Sequence, residues 1–164
     1  MFPVVLETLV VGTPPAASMV VLRPKEDTDR DGRVLPIWIG VHEAASIGIA
    51  LHGQKRERPM THDLLTNVLK ACGATLESVV ISRVEGTIFY AVLVIDHCGQ
   101  METVDARPSD AIALAVRMHV PLYVEEEVMD LASLPASWQP SGEAVIEAEE
   151  FHNFVENLSP EDFL

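Results

Sequence analysis

Two short runs of the chain place ionisable side chains directly beside a proline at a predicted helix start. The first run is Arg58-Pro-Met-Thr-His-Asp-Leu-Leu65, and the second is Asp105-Ala-Arg-Pro-Ser-Asp-Ala111. A helix start carries unpaired backbone N–H groups and a partial positive charge, so it stabilises carboxylates and phosphates alike. We therefore expect any chemistry of this protein to lie at these two runs.

The acids of both runs are of the type that holds a divalent cation. Bound magnesium or manganese would activate water and offset the charge of a phosphorane. An imidazole is a suitable proton carrier at cellular pH, and the planar fork of an arginine suits a phosphate. This interpretation predicts a metal-assisted phosphodiesterase. Its catalytic residues would be His62, Asp63, Asp105, Arg107 and Asp110, and its metal ligands Asp63, Asp105, Asp110 and Glu43.

A purely structural interpretation of the same residues stays open. Asp63 and Asp110 would lie in first helical turns, where acids stabilise the helix without taking part in chemistry. Arg107 would then pair with Asp105 or Asp110, and His62 would bond a backbone carbonyl. The sequence alone does not decide between the two interpretations.

The only dense basic cluster of the chain consists of Lys55, Arg56 and Arg58. Together with Ser109, which we expect to cap the helix that follows, these residues are the predicted substrate-binding set. Three positive charges are too few for a long nucleic-acid footprint, because each neutralised phosphate adds one increment of counterion release. The cluster therefore predicts a short contact with DNA or RNA, or else a solvated loop.

Several familiar motifs are incomplete in this chain. His42-Glu43 begins the zinc-protease pattern H-E-x-x-H, but position 46 is serine, so a zinc protease is excluded. Residues 27–32 match the start of a calcium loop, yet position 12 of that loop would be Trp38, so we expect a hairpin loop instead. Since the chain contains no G-x-G-x-x-G and no P-loop, we expect no nucleotide or redox cofactor.

The charge of −14 is distributed unevenly over the 164 residues. Residues 1–120 hold 14 acids and 11 bases, whereas residues 121–164 hold 11 acids and neither lysine nor arginine. With 48% apolar residues the chain can bury one core. We therefore predict one domain over residues 1–131, followed by an acidic linker and C-terminal helix over residues 132–164.

The N-terminus has no basic leader, and no run of 18 uncharged apolar residues occurs. This predicts a soluble cytoplasmic protein with no membrane contact. Cys72 and Cys98 lack a CxxC spacing, so reduced thiols are expected.

Hydrophobic periodicity and turn signals predict an α+β fold. Strands are predicted over residues 2–11, 18–22, 34–39, 78–84, 87–95, 101–105 and 121–124. Helices are predicted over residues 43–52, 61–73 and 109–118. Phe151, Phe154, Val155 and Leu158 recur at helical spacing, which predicts a C-terminal amphipathic helix. The expected architecture is a mainly antiparallel sheet packed with three helices, plus this C-terminal helix.

Four sequence blocks in this order resemble the bifunctional nuclease domain family over about residues 2–130. They are Leu35-Pro-Ile-Trp-Ile-Gly40 with Glu43-Ala-Ala, the two proline-bearing runs, and Pro121-Leu-Tyr-Val-Glu125. The resemblance implies a mixed, strongly bent sheet and a homodimer or larger oligomer. It also implies cleavage of both DNA and RNA, as in some plant members.

Two other function classes stay open. One is a noncatalytic oligomeric binding or regulatory domain in which the acid–arginine cluster is structural. The other is a small-ligand or metal-sensing domain with a concave pocket under the sheet.

Overall fold

The structure, a computed structural model, describes residues 1–12, 17–25, 32–53 and 57–138. The strands are β1 (Phe2–Val10), β2 (Ser18–Pro24), β3 (Arg33–Ile39), β4 (Ala74–Glu85), β5 (Ile88–His97), β6 (Gln100–Ala106), β7 (Leu122–Val124) and β8 (Leu134–Pro135). The helices are α1 (Val41–Leu51), α2 (Thr61–Ala71), α3 (Pro108–Met118) and α4 (Glu126–Ala132). The predicted α+β class is confirmed.

All eight strands belong to one sheet in the order β6-β5-β4-β7-β1-β2-β3-β8. Consecutive hairpins join β1 to β2 and β4 to β5 to β6, as turn residues between strand patterns predict. Within the described residues the one parallel pair is β4 with β7, which are connected through β5, β6 and α3. The sheet is therefore mainly antiparallel, as predicted, and its predicted strong bend stays a prediction.

The main core lies between the sheet and the helices. Alternate residues of β4 and β5, among them Val79, Ile81 and Leu93, are buried against α3. Helix α3 is rich in alanine on its buried side, which allows its backbone to approach the sheet closely, and Pro108 at its first position fixes the entry of the chain. The start of α3 thus follows the end of β6 after one residue, Arg107.

The prediction of three helices needs a correction, because α4 is a fourth helix within the described residues. Its seven residues bury Val128 and Met129 in the main core. A pattern of two turns is too short to stand out by periodicity. Beyond α4, Leu134 and Trp138 pack against the far face of β2 and β3. The C-terminal helix predicted around residues 151–158, and the loop over residues 27–31, lie outside the described residues.

Two smaller predictions concern thiols and membranes. Cys72 and Cys98 are both free and exposed. None of the helices in the described ranges is long and apolar enough to span a membrane.

Candidate functional site

The first turns of three helices meet at one end of the helical layer. Glu43 of α1, Asp63 of α2 and Asp110 of α3 are each the third residue after the helix cap. An acid in a first turn is stabilised by the partial positive charge of the helix start. These carboxylates belong to a continuous set of polar contacts, which we call the helix-start network: Glu43, Ser46, His62, Asp63, Arg107, Asp110 and Arg117.

Arg107 bridges α1 and α3 at the surface of this network. Its Nε donates to Oδ2 of Asp110 at 2.7 Å, and its Nη2 donates to Oδ1 of the same carboxylate at 3.1 Å. Its Nη1 donates to Oε1 of Glu43 at 3.0 Å. The Arg107 side chain is nevertheless 65% exposed. The guanidinium is therefore held in one orientation while its outer edge faces solvent.

The backbone at the start of α1 makes room for the Glu43 carboxylate. A Cβ at Gly40, the cap residue of α1, would collide with Oε2 of Glu43. Glycine at this position therefore allows Glu43 to fold back over its own helix start and reach Arg107.

His62 lies between α1 and α3 with both ring nitrogens bonded. Its Nδ1 is 2.9 Å from Oγ of Ser46, and its Nε2 is 3.0 Å from Oδ1 of Asp110. Oγ of Ser46 also accepts a hydrogen bond from Nη2 of Arg117 at 3.2 Å, which leaves the hydroxyl proton for Nδ1. We therefore assign the neutral imidazole its proton on Nε2, from which it donates to Asp110.

Arg117 holds the buried side of the network and is only 7% exposed. Its Nε donates to Oδ1 of Asp63 at 2.7 Å, and its Nη2 donates to the backbone carbonyl of Ser46 at 3.1 Å. Its Nη1 donates to the carbonyl of Ala113 one turn back in α3, at 3.0 Å. One side chain thus links α1, α2 and α3.

These contacts shift the acidity of two carboxyl groups. Burial raises the pKa of Asp110, but the hydrogen bonds from Arg107 and His62 outweigh burial and hold the pKa below its usual range. Burial likewise raises the pKa of Asp63, and the bonds from Arg117 and the Met60 backbone lower it overall. Both carboxyl groups are therefore ionised throughout the neutral range, and their two negative charges balance the positive charges of Arg107 and Arg117.

The predicted metal set is not assembled in this arrangement. Among the residues that the structure describes, no three His, Cys, Asp or Glu side chains converge to hold a metal ion. Asp63 and Asp110 bind guanidinium groups instead, which supply the positive charge that a cation would bring. The divalent cation therefore stays a prediction.

Asp105 is separate from the network for a simple geometric reason. Its neighbours Val104 and Ala106 in β6 lie opposite the buried Leu93 and Ala91 of β5, so they share the helix-covered face. Side chains alternate along a strand, and Asp105 therefore points to the opposite face of the sheet. The prediction that Asp105 shares a pocket with Asp63 and Asp110 is wrong on this point.

The structural interpretation from sequence is also corrected in part. His62 bonds a hydroxyl and a carboxylate rather than a backbone carbonyl. Arg107 pairs with Asp110, which is one of the two partners predicted for it. Ser109 does not cap α3, because Pro108 lets the helix begin earlier, with Arg107 as the cap residue, and Ser109 is buried in the first turn.

The predicted basic cluster is described only at Arg58, which is exposed just before α2. Lys55 and Arg56 lie outside the described residues. Sequence reasoning missed Ser46 and Arg117 as members of the network. A signal was present, since Arg117 follows Asp110 by seven residues, and two helical turns place both side chains on one face.

Comparisons with known proteins agree with the resemblance that the four sequence blocks carry. Residues 20–137 match the family described as bifunctional nuclease domain. The chain is similar to an uncharacterized protein of Mycobacterium tuberculosis strain CDC 1551, at 41% identity over 136 residues. The match covers 80% of this chain and 81% of that protein. An uncharacterized protein of strain H37Rv matches with the same identity and coverage. The chain belongs to the bifunctional nuclease domain family.

Proposed function

We propose that this protein hydrolyses phosphodiester bonds of DNA, RNA or both at the helix-start network. The observation that carries this proposal is the position of Arg107, which is fixed by two carboxylates and yet 65% exposed. Membership of the bifunctional nuclease domain family supports a nuclease-related function. The proposal assigns substrate contact to Arg107 and proton transfer to His62.

Arg107 has the donors that a phosphate requires. An arginine carries five N–H donors, and Asp110 and Glu43 occupy three of them among the residues that the structure describes. The two remaining N–H groups lie on Nη1 and Nη2, the end of the fork that binds phosphate oxygens in pairs. Since the guanidinium is already oriented, it can stabilise the extra charge that develops on the phosphorane without reorganising.

His62 is placed to exchange a proton close to that phosphate. Its Nε2 and Arg107 both contact Oδ1 of Asp110, so the imidazole and the guanidinium are adjacent. A water molecule attacks the phosphorus as the bond to the leaving oxygen breaks, and its proton passes to solvent. The doubly protonated form of the His62 ring gives its Nε2 proton to the leaving oxygen and becomes neutral, while Asp110 keeps its bonds from Arg107.

The charge of the network sets a condition on binding. Three carboxylates against two guanidinium groups leave one net negative charge while His62 is neutral. This net charge disfavours an anionic phosphate, so binding depends on the two N–H groups that Arg107 keeps for solvent.

A second candidate function is a noncatalytic binding or regulatory domain. The observation in its favour is that both ring nitrogens of His62 are bonded inside the protein. In this case the network fastens three helices together, and the loss of one partner lowers stability without changing any activity.

Cleavage of labelled single-stranded and double-stranded oligonucleotides tests the proposal. The full-length protein is assayed on DNA and RNA with EDTA, with magnesium and with manganese. Arg107→Gln is expected to lower kcat/KM by about 10²-fold or more, the usual effect of removing one stabilising donor. His62→Gln is expected to lower it by about 10²–10⁴-fold.

Arg83→Gln is the matched control. Arg83 is also exposed and paired with a carboxylate, that of Glu85, but it lies on β4 away from the network. This variant should cleave like the wild-type protein. Activity that survives in Arg107→Gln contradicts the proposed role of Arg107. A wild-type protein that leaves every substrate intact under all three conditions contradicts the nuclease proposal and favours the second candidate.

A further inference from the structure

The last turns of α1 and α3 border a cavity, at the opposite ends of these helices from the helix-start network. Both helices have 11 residues. A helix of this length separates its two ends by about 16 Å. The cavity has a volume of about 620 Å³. Since ligand sites in proteins commonly have volumes of about 300–1,000 Å³, this cavity is large enough for a small organic molecule.

The interior of this cavity, which we call the helix-end pocket, is apolar. From the sheet it is lined by Val4 and Leu122, which lie opposite each other in β1 and β7. From α3 it is lined by Ile112 and Ala115, and all four of these residues are buried. Leu51 at the end of α1 also lines the pocket but is exposed, so it lies at the mouth. Apolar surface of this kind favours the hydrocarbon part of a ligand, because both are removed from water on binding.

The mouth of the helix-end pocket carries two basic side chains, those of Lys25 and His119. The backbone N–H of Lys25 donates to the carbonyl of Pro3 at 3.0 Å, which ties Lys25 to β1. His119 ends α3 in the left-handed conformation, with φ of 55°. None of the Asp and Glu residues in the described ranges lines the pocket, although the chain holds 25 acids and only 11 lysines and arginines. The pocket therefore combines an apolar interior with a mouth that donates hydrogen bonds.

These donors determine which head group the mouth favours. An ammonium carries three N–H donors and no acceptor, and a neutral imidazole carries one donor. The end of a helix carries a partial negative charge, which by itself would favour a cation. The carbonyl of Ala50, however, already accepts a hydrogen bond from the N–H of Gly53 at 3.1 Å, and that of Ala115 accepts one at 3.2 Å from the next loop. A negatively charged acceptor therefore fits the mouth better than an amine does.

We propose that the helix-end pocket binds an aliphatic monocarboxylate. Its carboxylate lies at Lys25 and His119, and its hydrocarbon chain lies between the sheet and the last turns of α1 and α3. One lysine matches the single negative charge of a carboxylate. A phosphate monoester carries about −1.5 to −2 charges at neutral pH, which one lysine on a protein of net charge −14 balances less well. This inference does not depend on the proposed nuclease activity.

Isothermal titration calorimetry of the full-length protein with decanoate tests the proposal. Decanol and decylamine have the same hydrocarbon chain and serve as head-group controls below their solubility limits. Decanoate is expected to bind one site per chain, about tenfold or more tightly than either control, because neither control offers a negatively charged acceptor. The heat-capacity change on binding should be negative, since apolar surface is buried.

Two substitutions, each with a matched control, locate the site. Lys25→Gln should weaken decanoate binding by about 3–10-fold and leave decanol binding nearly unchanged. Lys70→Gln removes an exposed lysine of α2 outside the pocket and should bind decanoate like the wild-type protein. Ala50→Phe fills the pocket from the last turn of α1 and should abolish binding. Ala71→Phe places the same side chain in the last turn of α2, where Ala71 is exposed, and should not change binding.

Three outcomes overturn the proposal. The first is a wild-type protein that does not bind decanoate at any concentration below that at which micelles form. The second is equal affinity for decanoate and decanol, or equal decanoate affinity in Lys25→Gln and the wild-type protein. The third is decanoate binding that survives in Ala50→Phe, since the ligand then lies elsewhere. Because Lys25 is exposed, Lys25→Gln should melt at the wild-type temperature, and a loss of affinity in this variant reports on the ligand and not on folding.

Discussion

Replacement of the buried Arg117 by methionine tests whether the helix-start network stabilises the fold. Arg117→Met keeps a long unbranched side chain but removes four hydrogen bonds. Three acceptors lose a buried hydrogen-bond donor: the carbonyls of Ala113 and Ser46 and the hydroxyl of Ser46. Each loss lowers the free energy of unfolding by about 1 kcal/mol. Asp63 loses less, since its carboxylate is 37% exposed and keeps its bond from the Met60 backbone.

The three lost hydrogen bonds together lower the free energy of unfolding by about 3 kcal/mol. The burial of the apolar methionine side chain offsets part of this loss. We therefore expect the free energy of unfolding to fall by about 2–3 kcal/mol. For a domain of this size, 1 kcal/mol changes Tm by about 2–4 °C, so Tm should fall by about 5–10 °C. Calorimetry at neutral pH measures both quantities.

The matched control for this experiment is Arg83→Met. Arg83 pairs with Glu85 at 3.3 Å and stacks on the Tyr90 ring, but its side chain is mostly exposed. An exposed pair of this kind contributes about 0–1 kcal/mol. If Arg117→Met melts no lower than Arg83→Met, the network does not stabilise the fold, and the reasoning from buried hydrogen bonds is refuted.

Three further predictions follow from single features of the structure. Gly40→Ala should lower Tm slightly, because the added Cβ displaces the Glu43 carboxylate from Arg107. In a Glu43→Ala background the same substitution should leave Tm unchanged in a thermal melt. The pKa values of Asp63 and Asp110 are lower in the folded protein than in the unfolded chain. Near the ordinary value of 3.8 the unfolded chain therefore binds more protons at these two residues than the folded protein does. Stability contributed by these groups is therefore present above that pH and lost below it, so Tm measured against pH should fall less steeply for the Asp63→Asn, Asp110→Asn variant. Cys98 has a left-handed backbone with φ of 55°, so Cys98→Asn should raise Tm by about 1–2 °C in the same melting assay.

The sequence predicted local elements well because their signals are local. The turn between β5 and β6 has positive φ at both Cys98 and Gly99, which is the backbone of a two-residue hairpin turn, and glycine indicates it directly. The parallel pairing of β4 with β7 has no such signal, since the two strands are far apart in sequence and are brought together only by packing. The short helix α4 escaped prediction because its two buried side chains are compatible with several structures.

The sequence predicted several residues of the candidate site, but fewer of the contacts between them. The two proline-bearing runs do meet, and His62, Arg107 and Asp110 are in contact. Ser46 could not be assigned, because a single buried polar residue on a helix gives no periodic signal. The spacing of Arg117 from Asp110 did offer a signal, but it does not say which other residues Arg117 contacts. Asp105 was misplaced because proximity in sequence to Arg107 was given more weight than the alternation of side chains along a strand.

The two arginines of the helix-start network differ in exposure, and we therefore expect different effects when each is removed. Arg117 is 7% exposed and has protein partners on all three of its nitrogens, so its removal should act on stability. Arg107 is 65% exposed and keeps donors that face solvent, so its removal should act mainly on phosphate contact. The Arg107→Gln variant should therefore melt near the wild-type temperature and lose activity. A catalytic defect that appears only together with a large loss of Tm would instead mean that the network is purely structural.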